Sequence, residues 1–288
     1  MNLINKLPIT KIKITLAFFL YKTVSIFKGK NKKKVKKTVK GITYELDLKE
    51  GLDLSMYLFG GFQKHVTNSS LINISEYDTI FDVGGNFGFM ALQYAKKSGN
   101  ATIFSFEPTH YAISKFKRNL ELNPDLSDRI NIINTYISDK PSEKSNIQAF
   151  SSWRVDTINN KDKKRHSVHL GIEKSADGVK TTTLDRFCHK NNINKVDFIK
   201  IDTDGHEPFV LKGATKLITE NRPTIIFEIG KYVMTEKGID FNFYLDFFNE
   251  KSYQLFNAKS EKIINKSNWE DIIPNLGTID VVAIPEKA

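Results

Sequence analysis

The order of apolar and polar residues along the chain predicts strands and helices that alternate. Residues 79–83 form a β-branched and aromatic run that ends at a glycine cluster, which is typical of a buried strand. From residue 87 onward, apolar residues recur at the spacing of one helix face, so a helix is predicted directly after this strand. Further strands are predicted at residues 102–107, 129–133, 196–201, 224–229, 253–257 and 278–284, and further helices at 108–122, 181–191 and 241–249. This alternation favours an α/β fold with a doubly wound, mostly parallel sheet, whose last two strands pair antiparallel.

The first of these strands leads into a glycine-rich loop with the pattern D-x-G-x-N-x-G. The next strand ends at an acid, Glu107, 19 residues after Gly88. In doubly wound folds such an acid meets ribose hydroxyls, while the loop holds the charged part of the ligand. The predicted cofactor-binding residues are therefore Asp82, Gly84, Gly85, Asn86, Gly88 and Glu107. The glycines break the G-x-G-x-x-G spacing of dinucleotide sites, and the pattern resembles motif I of class I S-adenosylmethionine-dependent methyltransferases instead. This resemblance implies a loop that holds an amino-acid zwitterion, with NAD as the alternative.

Composition and charge describe one globular domain with a basic extension. The chain has 288 residues, of which 40% are hydrophobic and 26% charged, as is ordinary for a soluble domain. The net charge of +10 is unevenly divided, since residues 1–40 hold twelve lysines and no acid. The remaining residues hold 31 basic and 33 acidic side chains, and a nearly neutral body argues against nucleic acid as a partner.

The extension at residues 1–40 has two interpretations. Residues 9–28 form an amphipathic helical pattern, and the lysine-rich run 30–37 follows it. Such a segment suits the surface of an anionic membrane, or it packs its apolar face on the domain. Its longest uncharged apolar run, residues 14–21, is far shorter than the ~20 residues that span a bilayer. We therefore expect a cytoplasmic protein, and under the first interpretation one that lies peripherally on the inner membrane surface.

Residues 41–75 form a prelude to the main domain at residues 76–288. An alternating strand pattern and an apolar stretch up to Gly60-Gly61 lie in this prelude. We expect it to cover the mouth of the cofactor site or to line an acceptor site. Further along the chain, residues 202–207 are an acidic turn directly after a strand, where ligands of open α/β sheets bind.

Taken together, the spaced motifs resemble those of FkbM-type methyltransferases. The matching stretches, in order, are Asp82-Val-Gly-Gly-Asn-Phe-Gly88, Phe106-Glu-Pro108, Thr183-Leu-Asp185, Lys200-Ile-Asp-Thr-Asp-Gly-His-Glu207, Leu211-Lys-Gly213-Ala and Pro223-Thr-Ile-Ile-Phe-Glu228. The resemblance runs from about residue 76 to the end and implies the seven-stranded, Rossmann-like sheet of class I methyltransferases and S-adenosylmethionine as the cofactor. It also implies an acid or amide near the adenine amine, for which Asp139 is the candidate. One departure is Asp204, which stands where glutamate is common.

Under this resemblance, the acidic turn supplies the candidate catalytic residues. His206 is the predicted general base, since an imidazole titrates near neutral pH and a hydroxyl is a poor nucleophile until its proton is removed. Asp202 and Glu207 are predicted to orient it. A structural alternative is a capping box formed by Asp204 and Glu207 at the next helix. The three carboxylates of the turn also offer oxygen ligands to Mg²⁺, although no dedicated metal motif is present.

The predicted function is O-methylation by S-adenosylmethionine of a hydroxyl on a sugar, a glycan or a related natural product. Its partner would be a small-molecule or glycan acceptor. The alternatives are N-methylation of a small molecule or protein, and a nucleotide-binding module without turnover. The latter is disfavoured while Asp82, the glycines and Glu107 are all in place.

Overall fold

The computed structural model describes residues 34–61, 63–143, 149–151, 172–174, 176–275 and 277–286. The helix predicted at residues 9–28 lies outside them. In the described part, the strands are β1 Lys34–Val39, β2 Ile42–Asp47, β3 Thr79–Val83, β4 Thr102–Phe106, β5 Ile130–Ile133, β6 Tyr136–Ile137, β7 Ala149–Ser151, β8 Ile172–Lys174, β9 Thr181–Thr182, β10 Phe198–Ile201, β11 Thr224–Ile229, β12 Tyr253–Asn257, β13 Ile263–Ile264 and β14 Ile279–Pro285. The helices there are α1 Gly51–Phe59, α2 Lys64–Asn68, α3 Phe89–Ser98, α4 His110–Glu121, α5 Pro124–Ser127, α6 Leu184–Asn191, α7 Glu207–Lys212, α8 Thr215–Asn221, α9 Lys231–Lys237, α10 Phe241–Asn249 and α11 Trp269–Ile272.

The central sheet has the spatial order β13-β12-β14-β11-β10-β3-β4-β5. The strands from β11 to β5 are parallel, whereas β14, β12 and β13 pair antiparallel at the other edge. The predicted doubly wound, mostly parallel sheet is therefore confirmed, and the two-residue strand β13 adds an eighth strand to the seven predicted. Because the chain winds outward from β3 in one direction and from β10 in the other, the switch point where such sheets bind ligands lies between these two strands.

Alternate residues of the central strands enter two apolar clusters, one on each face of the sheet. On β3, Ile80 belongs to the cluster that includes Tyr94 of α3, whereas Phe81 belongs to the cluster on the other face. Asp82 and Lys200 are register partners on β3 and β10, and each is two residues from a member of the Ile80 cluster. Since side chains alternate along a strand, this pair projects from the Ile80 face.

The prelude is a β-hairpin followed by α1 and α2, and it packs on this same face. Strands β1 and β2 pair antiparallel, and Tyr44 and Leu46 of β2 are fully buried in the Ile80 cluster. Strand β1 was not predicted, because lysines make up half of it. Its hairpin also crosses the boundary that the sequence predicts at residue 40. In the described part of the chain, no helix is long and apolar enough to cross a bilayer.

Candidate functional site

The glycine-rich loop at the end of β3 is held close to both neighbouring strands. Gly84 has φ +82°, and a Cβ there would lie 1.9 Å from the carbonyl oxygen of Asp202. At Gly85 a Cβ would lie 2.0 Å from Ser105 Oγ. The backbone N–H groups of both glycines donate to the Phe106 carbonyl, at 2.9 and 3.0 Å. The loop therefore requires glycine, because the backbone of Asp202 and the side chain of Ser105 leave no room for a side chain.

Glu107 joins the end of β4 to this loop, as the sequence predicts for a shared site. Its Oε2 accepts from the Asn86 N–H at 2.9 Å, while its Oε1 accepts from the N–H and hydroxyl of Thr109 at 2.8 and 2.6 Å. Burial raises the pKa of Glu107, and these donors oppose the rise. The structure thus brings Asp82, Gly84, Gly85, Asn86, Gly88 and Glu107 together at the carboxyl edge of the sheet.

Lys200, which sequence reasoning missed, lies at the centre of the site. Its ammonium is 3.3 Å from Asp82 Oδ1 and 3.5 Å from Asp202 Oδ2, and it donates to the Gly84 carbonyl at 3.2 Å. The side chain is only 6% exposed. Burial acts to lower its pKa, but the two carboxylates outweigh this and hold the pKa above its ordinary value. The sequence feature that could have indicated this role is a lysine within an otherwise apolar strand pattern, followed two residues later by an acid.

The acidic turn after β10 is closed by Glu207. Its Oε1 accepts from the N–H and hydroxyl of Thr203, at 2.8 and 2.9 Å, and from the N–H of Gly205 at 3.3 Å. The alternative of a capping box with Asp204 is wrong, because Glu207 folds back on its own turn and Asp204 adopts φ +52°. Burial raises the pKa of Glu207. The Glu207 carboxylate therefore stabilises the turn.

His206 contacts Ser138 rather than either predicted carboxylate. Its Nε2 is 3.0 Å from Ser138 Oγ, which in turn donates to Asp139 Oδ1 at 3.1 Å. In the tautomer whose Nε2 donates to Ser138, the serine proton goes to Asp139 and the neutral imidazole keeps its lone pair on Nδ1. The ring stacks on Phe209 with centroids 4.7 Å apart. Burial, and to a smaller extent the Lys237 ammonium, lowers the pKa of His206 to about 4, so the ring is neutral at pH 7.

The predicted orientation of His206 by Asp202 or Glu207 is not what the described contacts show. Asp202 instead faces Lys200 and accepts from Gln63 Nε2 at 3.2 Å, and Glu207 accepts from the backbone N–H of Thr203 in its own turn. The role predicted for Asp139 at the adenine amine stays a prediction, since this carboxylate accepts from Ser138. Sequence spacing gave no sign of this contact, because Ser138 and His206 are 68 positions apart.

An acidic cleft continues from the turn to the ends of β11 and α9. Its lining residues include four acids and no lysine, arginine or histidine: Asp204, Gly205, Glu207, Glu228, Ile229, Gly230, Tyr232, Val233, Glu236 and Thr278. Asp204 meets solvent at the cleft surface, and the surrounding protein together with the charges of Asp202 and Glu207 raises its pKa to about 7. Burial and the charges of Asp202 and Asp280 raise the pKa of Glu228 well above its ordinary range.

No group of three or more His, Cys, Asp or Glu side chains is arranged to hold a metal among the described residues. The Mg²⁺ predicted for the acidic turn gains no support, because Glu207 faces its own turn and Asp202 faces Lys200. Asp82 is fully buried, its Oδ1 faces the Lys200 ammonium and its Oδ2 accepts from the Ser105 hydroxyl at 2.8 Å, so this carboxylate fixes the base of the loop.

A comparison with protein families completes this picture. A family model described as the methyltransferase FkbM domain matches residues 82–255, which contain the loop, Glu107, Lys200 and the acidic turn. The chain belongs to the FkbM methyltransferase domain family. The matched region begins after the prelude and ends before β14, so Gln63, His65 and Asp280 lie outside it.

Curated relatives of this FkbM-family chain share only part of their length with it. It is 26% identical over 142 residues to Methyltransferase 1 of Beauveria bassiana, covering 46% of this chain and 57% of that protein. It is 25% identical over 157 residues to the hexuronic acid methyltransferase AglP of Haloferax volcanii, covering 54% and 58%. The chain thus spans somewhat more than half the length of these relatives. The crystal structure of methyltransferase FkbM from Methylobacillus flagellatus is 16% identical, with 75% of this chain and 45% of that chain covered and a TM-score of 0.48.

Proposed function

We propose that this chain is an S-adenosylmethionine-dependent O-methyltransferase that acts on a hydroxyl of a sugar, glycan or related natural product. The observation that carries the proposal is the hydrogen bond from the Asn86 N–H to Glu107, which places the glycine loop and the acid of β4 in one site. Family membership supports the reaction class, and the name of the haloarchaeal relative supports a sugar acceptor.

The donor would be held by groups that the described structure brings together. Asp82 fixes the base of the glycine loop, and Glu107 faces the position of ribose hydroxyls in doubly wound folds. When bound, S-adenosylmethionine would supply a methyl carbon on a sulfonium, which a nucleophile attacks in line while the carbon–sulfur bond breaks and the neutral thioether leaves. Lys200 keeps Asp82, Asp202 and the Gly84 carbonyl in fixed positions around this ligand.

The acceptor hydroxyl needs a base, and we assign this role to His206. The ring is neutral above a pKa of about 4, and its Nδ1 lone pair is free for a proton when Nε2 donates to Ser138. We assign Ser138 and Asp139 the role of holding the tautomer. Such positioned proton transfer typically contributes about 10²–10⁴-fold to a rate. Asp202, the first residue of the acidic turn, faces Lys200 beside the donor loop. We infer that these two charges set the electrostatic potential where the methyl group is transferred.

The first test is donor binding, measured by isothermal titration calorimetry. We expect saturable binding of S-adenosylmethionine by the wild type, weakened roughly 10–100-fold in Glu107→Gln because a charged hydrogen-bond acceptor is lost. Glu121→Gln, an exposed glutamate on α4, is the matched control and should bind like the wild type. A folded wild type that binds no S-adenosylmethionine would overturn the methyltransferase proposal, and nicotinamide cofactors would then be tested.

A further inference from the structure

Gln63, which lies outside the matched region, contacts the candidate site from the prelude. Its Nε2 donates to Asp202 Oδ2 at 3.2 Å, across 139 positions of sequence. The orientation of the amide follows from this partner, because a carboxylate only accepts and so must face the NH₂ group. The residue is held at φ +48°, a backbone conformation that is uncommon for residues other than glycine and that occurs often at functional sites. Gln63 therefore joins the prelude to the turn that follows β10.

Contacts of the next residues keep this segment of the prelude in place. His65 Nε2 contacts Asp280 Oδ2 of β14, and Val66 is buried in the apolar cluster that includes Ile80. Both residues belong to α2, which begins directly after Gln63. The anchored helix thus fixes the position from which the Gln63 amide reaches Asp202.

Asp202 is in direct backbone contact with the glycine-rich loop. Its N–H donates to the Val83 carbonyl at 3.0 Å. Its own carbonyl oxygen is the atom that would lie 1.9 Å from a Cβ at Gly84. Because protein interiors are closely packed, a shift of Asp202 would change the space beside Gly84.

The side chain of Asp202 is joined to the same loop through Lys200. Three oxygens surround the Lys200 ammonium, which are Asp82 Oδ1 at 3.3 Å, Asp202 Oδ2 at 3.5 Å and the Gly84 carbonyl at 3.2 Å. An ammonium has three N–H groups, so Lys200 has no further donor for Asp202. The Gln63 amide supplies an additional donor to the same Asp202 oxygen. Without this donor, Asp202 would draw Lys200 away from the loop.

We propose that Gln63 is a positioning residue for the donor site, which holds Asp202 and Lys200 against the glycine-rich loop. In the described part of the chain, contacts run without a gap from Gln63 through Asp202 and Lys200 to Gly84. The prelude is then a part of the donor site and not only its neighbour. This inference rests on the proposed function and adds to it a residue outside the matched region.

The first test is the affinity for S-adenosylmethionine, measured by isothermal titration calorimetry on the full chain. We expect Gln63→Leu, which has similar volume but no polar group, to bind the donor about 3–10-fold more weakly, because a hydrogen bond to a charged group is lost next to the loop. Gln254→Leu, on strand β12 near the far edge of the sheet, is the matched control and should bind like the wild type. Melting curves establish that each variant is folded.

A double-mutant cycle separates positioning from a general stabilisation of the prelude. If Gln63 acts through Asp202, Gln63→Leu should weaken donor binding by less than about 2-fold in a chain that already carries Asp202→Ala. Equal weakening in both backgrounds would show that Gln63 acts by another route, and the inference would be wrong.

Gln63→Glu keeps the shape of the side chain and changes only its donor. A protonated glutamate still donates to Asp202, and burial beside that carboxylate raises the pKa of a glutamate there. We therefore expect this variant to bind the donor within about 2-fold of the wild type at pH 5 and more than about 10-fold more weakly at pH 8, where two carboxylates would face each other. The same ratio to the wild type at both pH values would contradict the proposed role.

The outcomes distinguish this inference from the proposed function. Unchanged donor affinity in Gln63→Leu, with a wild type that binds S-adenosylmethionine, would overturn the role of Gln63 alone. A folded wild type that binds no S-adenosylmethionine would reject the proposed function and the inference with it.

Discussion

At the scale of one residue, Asp204 shows how the acidic turn shifts the pKa of a carboxyl group. Its pKa is raised to about 7, mainly because the fold removes water from the carboxylate and to a smaller extent because Asp202 and Glu207 carry negative charge nearby. The folded state therefore binds a proton that the unfolded chain loses near pH 4, and the stability that this proton provides is lost as the pH rises towards 7. We expect the melting temperature of Asp204→Asn to rise relative to that of the wild type as the pH is raised from 4 to 8.

Asparagine also adopts the left-handed conformation of Asp204 easily, so this variant adds a constant offset that does not depend on pH. The change in the melting-temperature difference with pH therefore isolates the charge. The same scans on Asp246→Asn, at an exposed position of α10, provide the control. A melting-temperature difference that is the same at pH 4 and pH 8 for Asp204→Asn would show that the carboxylate does not titrate in this range.

His206 gives a second prediction at this scale, on catalysis. Since its pKa is lowered to about 4, the neutral base is available throughout the physiological range, and kcat should fall only below about pH 5. His206→Ala should lower kcat by about 10²–10⁴-fold with unchanged donor affinity. Both are measured by methyl transfer to a sugar or glycan acceptor found by screening with the wild type. An acid limb with its midpoint near the ordinary histidine pKa of about 6.5 would contradict the assigned environment.

The residues that the sequence identified are those whose role follows from position along a strand. Asp82, Gly84 and Glu107 stand at strand ends, and the spacing of a strand–loop–helix unit is enough to place them together. Lys200 could not be assigned, because its pairing with Asp82 depends on the register of two strands that are 118 residues apart. Ser138 and Gln63 were missed for a similar reason, since each acts through one contact with a distant segment.

At the scale of elements, a buried ion cluster attaches the prelude to the main domain. Lys115 of α4 lies 2.6 Å from Glu50 Oε2 and 2.7 Å from Asp53 Oδ2, and the side chains of both acids are at most 4% exposed. Burial raises the pKa of Asp53 to about 6, with the Lys115 charge opposing the rise. We expect Lys115→Met to destabilise the protein by about 3–5 kcal/mol in urea unfolding, because two buried carboxylates lose their cation.

The matched control is Lys216→Met on α8, where the lysine is 71% exposed and its partner Glu220 is 59% exposed. An exposed pair of this kind contributes less than about 1 kcal/mol, so the variant should unfold close to the wild type. Equal midpoints for both lysine variants would show that the cluster does not hold the prelude in place.

The elements themselves were largely predictable, and the exceptions have physical causes. The sequence pattern predicted β3, β11, β12 and α10 at the observed residues, and glycine or proline marks the ends of β3 and β11. Strand β1 was hidden because Lys34 and Lys36 lie on the solvent side of a hairpin, where charge does not oppose strand formation, and Lys37 on the other face meets Tyr57. The side of the sheet that the prelude would cover was not predictable either, since it is set by contacts such as those of Asn119 and Asn123 with the backbone of β2.

At the scale of the whole molecule, the division of charge makes a prediction about surfaces. The extension at residues 1–40 carries twelve lysines and no acid, whereas the rest of the chain has two acids more than bases. Eight of these lysines lie in residues 1–33, and the others lie in or beside the β1–β2 hairpin. A deletion that tests the extension must therefore end before Lys34, because removing β1 would disturb the prelude and the site beneath it.

We expect the full chain to sediment with vesicles that contain anionic phosphatidylserine and a deletion of residues 1–33 to remain in solution. Each basic residue near such a surface contributes about 1 kcal/mol at low salt, which is enough for eight lysines to hold the protein there. Binding should weaken at about 0.5 M salt, where the Debye length falls to a few ångströms, and should be absent on vesicles of phosphatidylcholine alone. If the full chain and the deletion sediment equally, the extension packs on the domain instead. In that case, we expect the deletion of residues 1–33 to melt at a lower temperature than the full chain.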